Sequence, residues 1–283
     1  MYLPLNIPNA RVLVTVKTYP LPSYKYEELV CTAGILETGE WIRIYPIPFR
    51  SLPYYEQYKK YNWVELNLVR NTRDFRPESY RPKQGLDEPI KSLDSIDTSN
   101  GWEKRRRIVL QEVFTSMDEL IQRAKNNEKK SLATLKPVEI IDLVIEETER
   151  EWKREWLDHL LQRKLFDTNP KGQGNTSEVV RKLPYKYSYK FLTQGDKRPR
   201  QMMIEDWEIG ALYWNCLGQT EGDENAANQK IRQKYFDEFV KTKDIHFFVG
   251  TTLQYHNVSP NPFVIIGVFY PPKGDKPKQL NLL

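Results

Sequence analysis

The chain has 283 residues, 39% hydrophobic and 12% aromatic, with a formal net charge of +5. A mean hydropathy of −0.68 and no run approaching eighteen apolar residues exclude a helical membrane span, so no membrane partner is expected. Cys31 and Cys216 stand far apart and outside any Cys-x-x-Cys, which excludes a disulfide framework and a zinc ribbon.

Residues 11–18, 29–36, 41–48 and 63–70 read as strands, rich in Val, Ile, Thr, Tyr and Trp and bounded by Pro, Gly and Ser. Glu37-Thr38-Gly39-Glu40 reads as a hairpin with Gly39 in the left-handed region. Tyr19-Pro20 and Tyr45-Pro46 follow apolar runs, and proline ends a ladder because it has no N–H to donate. Short antiparallel strands at this spacing predict a small barrel or a strongly curved sheet. Residues 71–100, with Pro77, Pro82, Gly85 and Pro89, read as a long irregular segment.

Downstream, residues 103–125 read as one helix through Val109, Val113, Met117, Ile121 and Ala124. Leu135–Ile145 reads as a buried strand and Glu146–Leu165 as a helix carrying Trp152, Trp156 and Leu160. Asn169–Ser177 is loop-like, and Lys182–Leu192 alternates as a strand with Lys186 and Lys190 on one face. Met202–Leu217 and the segment marked by Ala227, Ile231, Tyr235 and Phe239 read as helices; His246–Gly250 and Phe263–Tyr270 read as strands. The predicted class is α+β: residues 1–100 form a β-rich, aromatic and Arg-rich barrel-like unit. It joins a mixed α/β region over 101–283 with three or four helices, and strands of one kind at both chain ends allow a shared core.

The charge is unevenly spread. Residues 11–83 and the segment Lys171–Arg200 are basic, with an acid-rich stretch over 138–160 between them. That layout suits a groove that steers a polyanion. The N-terminal Met1–Asn6 has no basic n-region and no continuous apolar core, so a cytoplasmic, reduced protein is expected.

Catalytic motifs are sparse. Glu205 and Glu208, three apart on the predicted Met202–Leu217 helix, would share a face and hold Mg²⁺, with His246 as an acid–base partner for phosphodiester cleavage. Asp142 with Glu151-Trp152-Lys153 gives an acid and an acid-x-lysine pair, but in a helical segment that sets Glu151 and Lys153 on opposite sides. Gly172-Gln173-Gly174 lacks the strand and the trailing Lys-Ser/Thr of a phosphate-binding loop. Apart from Mg²⁺ in the nuclease reading, no cofactor or metal is expected.

Binding is the stronger reading. Arg43, Arg50, Arg70, Arg73 and Arg76 would contact phosphates, bases would stack on Tyr19 and Tyr45, and Lys186 and Lys190 would line the opposite wall. Tyr54-Tyr55, Tyr58 and Tyr61 offer further rings. The plainer account is that the tyrosines pack a barrel end while the arginines pair with Asp74 and Glu78. The expected function is nucleic-acid binding, DNA or RNA, as an accessory or recognition subunit in DNA or RNA processing or prokaryotic defence, with other protein subunits as further partners. The alternatives are a metal-dependent nuclease, or a protein–protein interaction subunit with no nucleic-acid contact.

Overall fold

The computed structural model describes residues 3–23, 27–52, 56–157 and 180–274. The expected Asn169–Ser177 loop, Tyr54-Tyr55, the Gly172-Gln173-Gly174 stretch and residues 158–165 of the expected Glu146–Leu165 helix lie outside the described residues.

The first half contains β1 (Asn6–Lys17), β2 (Leu21–Ser23), β3 (Glu27–Leu36), β4 (Trp41–Ile47), β5 (Asn62–Arg70), β6 (Ser79–Pro82) and β7 (Lys91–Ser95). β1, β3, β4, β6 and β5 pair in that order, and β5 pairs back onto β1, which closes a five-stranded barrel. Alternation along the strands fills the barrel with Val12, Val14, Ile42, Ile44, Val64, Leu66, Leu68 and Tyr80. Gly39, with φ +100°, turns the β3–β4 hairpin as expected. The segment 71–100 is more ordered than its prolines suggested: β6 runs parallel to β4 and antiparallel to β5, and supplies the stave that closes the barrel. Tyr45-Pro46 lies within β4 rather than ending it.

The second half begins with α1 (Ser99–Val109), β8 (Val113–Phe114) and α2 (Met117–Lys125). The single helix expected over 103–125 is therefore two. Ser116 caps α2 by accepting from Glu119 N at 3.4 Å, and Phe114 enters a sheet instead of continuing the helix. The same apolar stripe serves two cores, with Val109 in one and Met117, Leu120 and Ala124 in the other.

There follow β9 (Leu132–Leu135), β10 (Glu139–Glu147), β11 (Tyr185–Leu192) and β12 (Arg200–Met203). Next come α3 (Trp207–Gln219), α4 (Glu224–Arg232), a π-helical turn (Gln233–Glu238), α5 (Phe239–Thr242), β13 (His246–Thr251) and β14 (Phe263–Phe269). β10, β11 and β12 form one sheet; β14, β13, β9 and β8 form another. Residues 148–153 are not helical, which corrects the expected start of the helix at Glu146, because β10 continues to Glu147. The expected helix from Met202 starts late: Arg200–Met203 pairs with β11, and Asp206 caps α3 by accepting from Glu208 N at 3.2 Å.

A mixed core joins the halves. Leu13, Val16, Ala33, Ile35, Trp41 and Tyr61 of the barrel wall pack with Val109, Leu132, Phe248, Ile266 and Phe269. The arrangement is an α+β fold with an N-terminal closed barrel. No helix among the described residues is long and apolar enough to cross a membrane.

Candidate functional site

Strand directions decide which residues share a barrel rim. β1 ends and β5 begins at one rim, which β4 also reaches at Ile47; β5 ends and β6 begins at the other. At the first rim β1 supplies Lys17, the turn before β5 supplies Lys59, Lys60 and Tyr61, α1 supplies Trp102 and Arg105, and α3 supplies Trp207 and Glu208. With Val268 and Tyr270 they enclose a cavity of about 350 Å³.

Its cations stand against rings. Lys17 Nζ lies 4.2 Å from the centre of the Phe49 ring and 5.3 Å from that of Trp207, and donates to Tyr58 O at 3.2 Å. Among the described residues no carboxylate forms an ion pair with it. Burial, reinforced by the neighbouring Lys60 charge, pulls its ammonium down to about 8. The Arg105 guanidinium lies 4.0 Å from the Tyr61 ring centre and 4.9 Å from that of Trp102, and donates to Ile96 O. Lys60 has the opposite role. Burial alone would lower its pKa, but Asp206 at 2.8 Å and Glu208 at 3.1 Å outweigh that and hold it above its ordinary value. The pair anchors α3 to the barrel rim.

Trp102 reaches the cavity on an unusual backbone. Asn100 (φ 50°), Gly101 (φ 65°) and Trp102 (φ 66°) are three successive left-handed residues. For a residue with a Cβ this costs about 1–2 kcal/mol. The turn persists because the indole packs on Phe269 at 5.6 Å and Tyr270 at 5.3 Å, and because Arg106 donates to Gly101 O at 3.1 Å and Pro272 O at 2.6 Å.

A larger groove of about 940 Å³ lies at the opposite rim, between the barrel and the second half. It carries Glu40, Glu78, Glu112 and Glu128 against Arg70, Lys129 and Lys130, so its sign is wrong for a polyanion. The smaller cavity sets Lys17, Lys59, Lys60 and Arg105 against Glu208 and the underlying Asp206.

The structure separates the residues expected from the sequence. Arg43 is 4% exposed; it donates to Ser131 Oγ at 2.8 Å and to the carbonyls of Ser131 and Thr251, both at 3.2 Å. Arg76, 5% exposed, pairs with Asp74 at 2.5 Å and donates to Thr251 O. Both arginines are thus withdrawn from phosphate contact, because the second half covers this face of β4. Arg70 is half-buried over the Tyr80 ring, and Arg73 is exposed on the β5–β6 loop; both lie at the rim opposite the cavity. Arg50 follows Phe49 in a short 3₁₀ turn on the cavity's own rim. Tyr45 is 40% exposed. Tyr19 is a joint between the halves: its hydroxyl donates to Arg181 O at 2.7 Å and accepts from Trp214 Nε1 at 2.9 Å. Its ring lies where a Cβ on Gly210 would sit, 2.4 Å away. Lys186 and Lys190 lie on β11, outside the cavity, and Lys186 pairs with Glu146 at 3.3 Å.

The expected catalytic set does not assemble. Glu205 precedes α3 in an extended segment; its N–H donates to Ile265 O, its carbonyl accepts from Tyr19 N, and burial raises its carboxyl pKa. Glu208 turns to Lys60. His246, 6% exposed, lies beside Asp244 and Lys136, where burial holds its imidazole neutral, at about 4. Asp142 pairs with Arg232 at 2.6 Å. Among the described residues no three His, Cys, Asp or Glu side chains converge as metal ligands. Lys17, Lys60, Trp102, Arg105 and Trp207 were missed as site residues. The usable signals were Asn100-Gly101, a turn step directly before an aromatic residue, and Lys59-Lys60-Tyr61, cations beside a ring.

The chain belongs to the family described as Domain of unknown function (DUF8757), matched over residues 113–283, and residues 8–111 match a second, Domain of unknown function (DUF8758). No curated protein matches it. A solved structure described as "Structure of murine DNA binding protein bound with ds DNA" is similar at 9% identity and a TM-score of 0.31, covering 96% of this chain and 99% of that chain. A likeness at that TM-score carries no argument.

Proposed function

We propose that this protein binds nucleic acid, and that the strand crosses the barrel rim formed by Lys17, Lys59, Arg50 and Arg105. The observation that supports this most is the pairing of cations with aromatic faces at one rim. Lys17 sits against Phe49 and Trp207, and Arg105 against Tyr61 and Trp102. Phosphates need fixed cations, and unstacked bases need π faces; Lys17, Lys59 and Arg105 line this cavity together with the half-buried Trp102, Trp207 and Tyr270. Among the described residues no carboxylate forms an ion pair with Lys17, and the nearby Asp206 and Glu208 only partly offset its burial, so a phosphate would supply the remaining counter-charge. We infer a recognition role in DNA or RNA processing, with positioning rather than cleavage as its contribution.

The test is binding of labelled single- and double-stranded DNA and RNA across a salt series. The expected result is affinity that falls with salt, at about 0.7 in log–log slope per phosphate contact on a single strand, and strands that stay intact. Absence of binding at low salt would contradict the reading.

A further inference from the structure

We propose that the rim cavity takes one unpaired guanine base of the bound strand, stacked on Trp102 and read through its N1–H and 2-amino edge by Glu208. This rests on the nucleic-acid reading above and sharpens it.

Three independent features lead there. The first is size. A cavity of about 350 Å³ is at the small end of ligand sites and admits one base with its sugar, not a duplex. The second is the wall. Trp102, Tyr61 and Tyr270 line the cavity, and Trp102 is held there in the left-handed region, which Asn100 and Gly101 before it adopt readily but a tryptophan rarely does. Backbone strain of this kind persists where the surroundings over-determine it, and it concentrates at ligand clamps.

The third is the acceptor. Glu208 is 40% exposed in the cavity, and among the described residues Lys60 is its one ionic partner. A carboxylate has about four lone-pair sites, so capacity remains for a ligand's donors. Its two oxygens match two adjacent N–H donors. Guanine alone among the bases offers that pair on its Watson–Crick edge. Adenine and cytosine offer one amino group beside an acceptor nitrogen, and the N–H of uracil or thymine is flanked by carbonyls that repel a carboxylate. Lys17 and Lys59, on the same cavity wall, would hold the attached phosphate.

The experiment uses the full chain with labelled ten-nucleotide oligothymidylate and the same strand carrying a single central dG, dA or dC, read by fluorescence anisotropy and tryptophan quenching. The expected result is about tenfold tighter binding for the dG strand. In Glu208→Gln that preference should collapse, because an amide cannot accept both protons. Trp102→Phe should bind dG with reduced quenching and still melt cooperatively, which separates loss of the platform from loss of the fold. Equal affinity for all four strands would overturn the guanine site while leaving strand binding in place. No binding to any strand at low salt would overturn the underlying reading as well.

Discussion

Lys17 and Lys60 are neighbours at one rim, yet their partners give them opposite duties. Lys60 is 6% exposed and holds Asp206, whose side chain is fully buried. Lys60→Met would strand that carboxylate, and loss of about 3–5 kcal/mol is expected in denaturant unfolding. Loss well under 1 kcal/mol would show that the pair is not an anchor. Lys17, held at about 8 by burial against an ordinary 10.5, is faced by Lys59, Lys60, Asp206 and Glu208. The folded state releases this proton more easily than the unfolded chain does. Its burial penalty is therefore full below pH 8 and is relieved as pH rises from about 8 towards 10.5. Strand affinity should run the other way, weakening as pH rises through about 8 while the remaining cations keep their charge. Affinity flat from pH 7 to 9 would remove Lys17 from the interface. Asp74 shows the acid-side counterpart. Burial would raise its pKa, but hydrogen bonds from Arg76 and Ser79 hold it at about 2, against an ordinary 3.8. The stability it contributes is full above the ordinary value and lost as pH falls through about 2. In Arg76→Met the acid unfolding midpoint should shift to higher pH.

At the scale of elements, α3 and the turn into α1 position the site. Gly210 gives α3 room to lie against Tyr19, and a methyl there would meet the ring at 2.4 Å. Gly210→Ala is expected to destabilise by about 1–3 kcal/mol through overpacking, measured by thermal or denaturant unfolding. A neutral result would mean that Tyr19 is not fixed between the halves. Much of the barrel could be read from the sequence: four of its five staves follow from β-branched runs, and the β3–β4 turn from Gly39. The closing stave could not be read. β6 is four residues long and ends at Pro82, and its parallel pairing with β4 leaves no local pattern. Arg43 was misplaced for a related reason. Period-two alternation assumes one wet face, but β4 is covered on both: Ile42 and Ile44 face the barrel interior while Trp41 and Arg43 face the second half. Glu205 and Glu208 failed as a pair because a cap at Asp206 delayed the helix that would have aligned them.

At the scale of the whole molecule, the barrel and the second half share the core around Trp41, Tyr61, Phe248 and Phe269, and Arg43 ties the barrel to Ser131 and Thr251. The division near residue 100 expected from composition would then mark a change of architecture within one cooperative unit. Calorimetric unfolding should show a single transition, coincident by tryptophan fluorescence and far-ultraviolet dichroism; two resolved transitions would contradict this. The same joint explains why the rim cavity is hard to see in the sequence. Its walls come from β1, the β5 turn, α1, α3 and the end of β14, which only the closed barrel and its docking bring together.

The central claim is that the cation-and-ring rim, not the arginine loop at the opposite rim, meets the phosphates. It is tested most directly by comparing the salt dependence of single-strand binding in Lys59→Ala and Arg73→Ala with that of the unsubstituted chain. The account predicts that Lys59→Ala lowers the log–log slope by about 0.7 and weakens binding, while Arg73→Ala leaves both as they were. The reverse pattern would contradict it.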